Sequence, residues 1–189
     1  MASPHPSGPL HLQANPKKGN GGFTLLELIF TLTILAVAGL AGTNVYRDAI
    51  IANQLHRATS TLVHDLALGR LEAVRRATRI TLCPGNPEIG CTRGPDWETG
   101  WIGFADRNHD HSLSAGEELI LHSATKRGVS IAWRKPERVS FNAIGGAWPN
   151  GHFRLCAKNA QQRRAVIVHL TGRTRVSARA PGGGQIRCG

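Results

Sequence analysis

Apolar residues follow two different patterns along the chain. Residues 23–42 form one apolar run, broken only by Glu27 and three threonines. As a helix rising about 1.5 Å per residue it would cover about 30 Å, the thickness of one bilayer core. Beyond Gly42 the pattern turns amphipathic. Ile51, Leu55, Ala58, Leu62, Leu66 and Ala73 recur at helical spacing, with Arg47, Arg57, Asp65, Arg70, Arg75 and Arg76 largely on other faces. Glu72 and Arg76 stand four apart in the favourable order, and no proline follows until Pro84, so the helix is expected to end near Thr78. Residues 23–42 are thus read as the transmembrane half of one helix and 43–78 as its amphipathic half, packed on a head domain.

From Arg79 the periodicity changes. Short β-prone segments alternate with Gly, Pro and Asn clusters at 79–83, 101–105, 118–123, 129–133, 138–142, 152–157, 165–170 and 174–178. The expected fold class is α+β, one long N-terminal helix on an antiparallel β head spanning 79–178. Residues 179–189 contain Pro181-Gly182-Gly183-Gly184 and are expected to form a flexible basic tail unless Cys188 is tied down.

A chain of 189 residues, 41% hydrophobic and with a formal charge of +11, fits one ordinary domain with an anchor and a polyanionic partner. The distribution of charge is more informative than its sum. Residues 23–137 hold twelve basic and twelve acidic residues, whereas 138–189 holds nine basic residues and no acid. One-sided arginine enrichment of this kind is the electrostatic footprint of phosphate binding. Eight of those nine are arginine, which suits bidentate phosphate contact.

The apolar run begins Gly22-Phe23-Thr24-Leu25-Leu26-Glu27-Leu28-Ile29, preceded by a Pro- and Gly-rich stretch carrying Lys17 and Lys18. Those cations keep the N-terminus cytoplasmic, and a carboxylate within an apolar span calls for a functional partner. This segment resembles the class III signal of type IV pilins and type II secretion pseudopilins. The resemblance implies that residues 1–22 are a leader removed by a prepilin peptidase between Gly22 and Phe23, with methylation of the new N-terminus. The cationic amine of Phe23 then partners Glu27 of a neighbouring subunit, which makes Glu27 an assembly residue. The implied location is the inner membrane, single-pass with a periplasmic head, and then a pilus or pseudopilus built with other pilins. Trp97-x-x-Gly100-Trp101-Ile102-Gly103-Phe104-x-Asp106-x-Asn108-x-Asp110, followed by Gly116-Glu117-Glu118-Leu119-Ile120-Leu121, is similar to the head-domain signature of the GspH/FimT pseudopilin family.

Asp106, Asn108, Asp110, Ser112 and Glu117 have the spacing of an EF-hand loop, but His111 stands where the sharp turn wants Gly and no helix follows. A hairpin loop whose Asp and Asn side chains bond their own backbone is the preferred reading, with calcium at Asp106, Asn108, Asp110 and Glu117 the weaker one and no cofactor expected. Four cysteines allow three pairings. Linking consecutive ones, Cys83 with Cys91 and Cys156 with Cys188, is favoured in an oxidising compartment. No phosphate-loop, Gly-x-Ser-x-Gly or His-Glu-x-x-His pattern occurs, so nothing supports an enzyme. Trp97, Trp101 and Trp133 read as core and Trp148 as exposed.

Gly172-Arg173-Thr174-Arg175 follows the apolar strand 166–171, so a tight turn would project Arg173 and Arg175 to one side. The four residues resemble the Gly-Arg-x-Arg motif of FimT-type minor pilins that bind DNA during natural transformation. The resemblance implies sequence-independent DNA binding through Arg173 and Arg175, supported by Arg163, Arg164, Arg179 and Lys158. The alternative is a structural GspH-like pseudopilin of a type II secretion system whose arginines meet acidic partner surfaces.

Overall fold

The computed structural model describes residues 22–124, 128–133, 137–158 and 161–188, without the side chains of 40–44. The chain divides into two compact units, Met1–Thr43 and Asn44–Gly189. Helix α1, Leu25–Arg75, runs through 51 residues, ending three residues before the expected Thr78. In the first unit Thr24 caps the helix, its Oγ1 accepting from the Glu27 amide at 3.3 Å. The threonines that interrupt the apolar run are satisfied within it. Thr31 Oγ1 donates to the Leu28 carbonyl at 2.9 Å and Thr33 Oγ1 to that of Phe30 at 2.8 Å. Leu25, Ile29, Phe30, Ile34, Leu35 and Val37 are all exposed. Among the described residues no helix is long and apolar enough to cross a membrane, and the end of the span expected at 23–42 falls on side chains outside the described set. The leader expected at 1–22 lies, Gly22 apart, outside it as well.

In the second unit the helix presents Leu55, Leu62, Leu66 and Ala73 to the core, each at most 3% exposed, with Ala58 partly buried beside them. Gly69 is on the same face because a strand side chain passes close to it: a Cβ there would stand 2.7 Å from Leu82 Cδ1. Asp65, expected on a polar face, is instead buried. Its Oδ2 accepts from Trp101 Nε1 at 2.8 Å and Ser123 Oγ at 2.5 Å, which explains how a carboxylate is tolerated in a core position.

Strands β1 (Ile80–Asn86), β2 (Gly90–Cys91), β3 (Trp101–Ala105), β4 (Leu119–Ser123), β5 (Val129–Ala132), β6 (Val139–Phe141), β7 (Ala147–Trp148), β8 (Gly151–Ala157), β9 (Arg163–Val168) and β10 (Thr174–Ser177) form two antiparallel sheets. One has the order β4-β3-β1-β6-β7 with β2 paired to β1, and the other the order β10-β9-β8-β5. Every segment expected to be β forms a strand; the two-residue β2 and β7 are too short to leave a periodicity. Trp97, Trp101 and Trp133 are core residues at 0%, 1% and 0% exposure, and Trp148 is 61% exposed. Phe153 packs edge-on against Trp97 at 4.8 Å and tilted against Trp133 at 4.3 Å between ring centroids.

Both favoured disulfides are present, Cys83–Cys91 and Cys156–Cys188. The second ties down the C-terminal segment that was expected to be flexible if left loose. Ile186 is 1% exposed and packs on Cys156 and Ala165 of the second sheet.

Candidate nucleic-acid interface

The arginine motif lies on the hairpin that joins β9 to β10 at the edge of the second sheet. Two backbone bonds close its turn, from the Gly172 amide to the His169 carbonyl at 2.8 Å and from the His169 amide to the Arg173 carbonyl at 2.9 Å. The glycine is required twice over. Its φ is +74°, and a Cβ would lie 1.9 Å from the Gly145 carbonyl oxygen and 2.8 Å from Arg70 Nε. Arg70 reaches from the helix to donate to that carbonyl at 2.9 Å. The hairpin is thereby braced on α1 and on the loop before β7, and the Ala147 amide at the start of β7 also donates to the Leu170 carbonyl at 2.9 Å.

Register fixes where the arginines point. Arg175 pairs with Ile167, which pairs in turn with His152. These three share one sheet face, the face turned away from Val166, Val168, Phe153 and Leu155 in the core. Arg173 lies two residues before Arg175, and both border one groove of about 910 Å³ that runs over Ile167 toward Pro181. Arg173, Arg175 and Arg179 are exposed, and none is in any of the ion pairs among the described residues.

The other expected contributors do not join them. Arg163 and Arg164 are consecutive on β9 and so face opposite sides. Arg163 Nη1 donates to the Ile186 carbonyl at 3.0 Å, holding the C-terminal segment on the sheet, while Arg154 Nη1 does the same to the Arg187 carbonyl at 3.2 Å. Arg164 is on the opposite face, bordering a cleft with His56, Ser60 and Val63 of the helix. Lys158 forms an ion pair with Glu98. Two of the nine acid-free basic residues, Arg154 and Arg163, therefore serve as clamps, a role invisible to charge counting.

The family model described as type II transport protein GspH matches residues 58–172, well over half of the chain. The chain belongs to the GspH family. A second model, the prokaryotic N-terminal methylation motif, matches residues 17–43 of this GspH-family protein, a span that contains Gly22, Phe23 and Glu27. The head match stops at Gly172, so Arg173 and Arg175 lie immediately beyond it. Among solved structures, the type IV minor pilin FimU of Pseudomonas aeruginosa strain PAO1 is similar in two crystal forms. One has a TM-score of 0.53 at 20% identity over 70% of this chain and 96% of that one; the other has 0.51 at 18% over 68% and 98%. The minor pseudopilin EpsH from the type 2 secretion system of Vibrio cholerae aligns at 0.47 and 11% identity over 68% and 98%. The FimU likeness shows the type IV pilin-like fold. No curated protein matches the chain.

In this GspH-family head the Asp106 loop is held by its own hydrogen bonds. Asp106 is fully buried and accepts from Thr81 Oγ1 at 2.7 Å, which turns its carboxylate inward. Asp110 accepts from the Ser112 amide at 2.7 Å, a bond that is the first cause of its lowered pKa. Glu117 accepts from the amides of Arg107 at 2.9 Å and Ser114 at 3.0 Å. These are the bonds of a self-closed loop, and among the described residues no three His, Cys, Asp or Glu side chains converge as metal ligands. His111, whose Nδ1 is 3.3 Å from Asp106 Oδ2, has a pKa below 6.5 because burial and then the Arg138 charge disfavour its cation.

Proposed function

We propose that this GspH-family protein is a FimT-like minor type IV pilin that binds DNA without sequence preference through Arg173 and Arg175, for DNA uptake in natural transformation. The observation that carries this reading is the pair itself. Two exposed arginines outside any ion pair among the described residues flank one groove, in a stretch of sequence from 138 to 189 that contains no acid. Unneutralised guanidinium groups on a braced hairpin contact phosphate oxygens and read no base edges, so affinity should fall steeply with salt. Arg179 follows two residues after β10 and adds charge at the same edge.

The N-terminal methylation match supports the rest of the reading: prepilin peptidase cleavage after Gly22, methylation of Phe23, anchoring in the inner membrane with the head periplasmic, and assembly with other pilins through Glu27. The description of the GspH family favours a second reading, a structural pseudopilin of a type II secretion system without DNA binding. Binding of the full-length protein, in neutral detergent with its disulfides formed, to unrelated DNA fragments separates the two. Salt-sensitive binding that Arg173→Gln/Arg175→Gln loses supports the pilin reading. No binding at low salt leaves the pseudopilin.

A further inference from the structure

We infer that the groove beside Arg173 and Arg175 takes the bases of an unpaired DNA strand, so that the protein prefers single-stranded to duplex DNA; this rests on the phosphate-binding reading above. The arginines account for the phosphates but not for the shape of the surface between them. A phosphate-only site needs no recess. Here the two guanidinium groups border a groove of about 910 Å³, within the range of sites that enclose small organic ligands. Its floor is Ile167, partly exposed between β8 and β10, and its far edge is Pro181. His152 and His169 contribute imidazole rings, and Asn150 an amide that can meet a base edge.

An apolar floor with flanking rings and cations at its rim suits a nucleotide, whose base is flat and apolar on its faces and whose phosphate is anionic. A duplex keeps its bases stacked inside and offers this surface only its phosphates, leaving Ile167 uncovered. The far wall is built by the C-terminal segment, which Cys188 and the buried Ile186 hold against the sheet. The groove's charge matches an anionic strand because residues 138–189 supply no carboxylate side chain.

The test uses the full-length protein in neutral detergent with both disulfides formed, and three labelled probes of equal length: a mixed-sequence single strand, a single strand of abasic sites, and a duplex. Binding is read by fluorescence anisotropy. The abasic strand retains every phosphate and removes every base, so it tests the groove without altering the protein. The inference expects the intact strand to bind roughly ten-fold or more tightly than the abasic strand, and more tightly than the duplex. Ile167→Ala should narrow the gap between the intact and the abasic strand. Equal binding of all three probes overturns the groove assignment and leaves the arginine–phosphate reading standing. Failure of all three to bind at low salt overturns both.

Discussion

Gly172 is the residue on which the geometry of the arginine hairpin turns, and Gly172→Ala measures how much. Two costs add at this position. Alanine at a φ of +74° costs about 1–2 kcal/mol in left-handed strain. Its Cβ would also meet the Gly145 carbonyl at 1.9 Å, a backbone atom that cannot rotate aside, so the hairpin or the loop before β7 must move. That movement disrupts the 2.9 Å bond from Arg70 Nε, a charged donor whose loss costs about 1.5–3 kcal/mol. The total is roughly 2.5–5 kcal/mol. Gly90→Ala is the matched control, since Gly90 has a φ of +72° but nothing within 4 Å of its Cβ position. It should lose only the strain, about 1–2 kcal/mol. Urea unfolding of the 44–189 unit, followed by the fluorescence of its buried tryptophans, gives both values from the shift in midpoint at constant slope. If the two variants lose equal stability, the close approach to Gly145 is not what the glycine serves, and the bracing of the hairpin on Arg70 is wrong.

Three further outcomes follow from contacts elsewhere. Asp65→Ala strands the buried Trp101 Nε1 and should lower unfolding free energy by about 1–3 kcal/mol, whereas Asp65→Asn keeps an acceptor and should cost less; urea titration of both checks this. Cys156→Ser/Cys188→Ser opens a loop of sequence separation 32, and chain entropy alone sets the loss near 3–4 kcal/mol, readable as a drop in thermal midpoint together with faster proteolysis after Ala178. Glu72 has its pKa lowered to about 2 from the ordinary 4.5, first by the hydrogen bond from Arg75 and then by that from Arg76. A carboxyl depressed on folding stabilises fully above pH 4.5, and that contribution disappears as pH falls toward 2. Glu72→Gln should therefore lower stability above pH 4.5, flatten the acid limb between those values and converge on the unmodified protein near pH 2, as read by urea titration across that range.

Most of the fold was legible because its signals were local and long. The helix from Leu25 to Arg75 is written as a long apolar run followed by a sustained helical period, and strands such as β3 and β9 are apolar runs bounded by turn residues. Asp65 was not legible as a core residue, because its partners Trp101 and Ser123 come from strands 36 and 58 residues away. The candidate site was legible only as charge. Counting marked nine basic residues as one group, but alternation along β9 sends Arg163 and Arg164 to opposite faces, and the C-terminal segment engages Arg154 and Arg163 through carbonyls. One signal could have separated them: Arg163 faces Cys156 across the β8–β9 ladder, and the Cys156–Cys188 bond was already favoured from the sequence. The groove over Ile167 had no sequence signature, since residues from β8, β9, β10 and the C-terminal segment meet there only after folding.

The most direct test of the central claim is the salt dependence of duplex DNA binding by the full-length protein beside Arg173→Gln/Arg175→Gln. Each phosphate neutralised contributes about 0.9 to the slope of log affinity against log salt, so losing both arginines should reduce the slope by about 1.8 and weaken binding equally on unrelated sequences. An unchanged slope and affinity in the double variant would contradict the assignment of Arg173 and Arg175 as the DNA contacts.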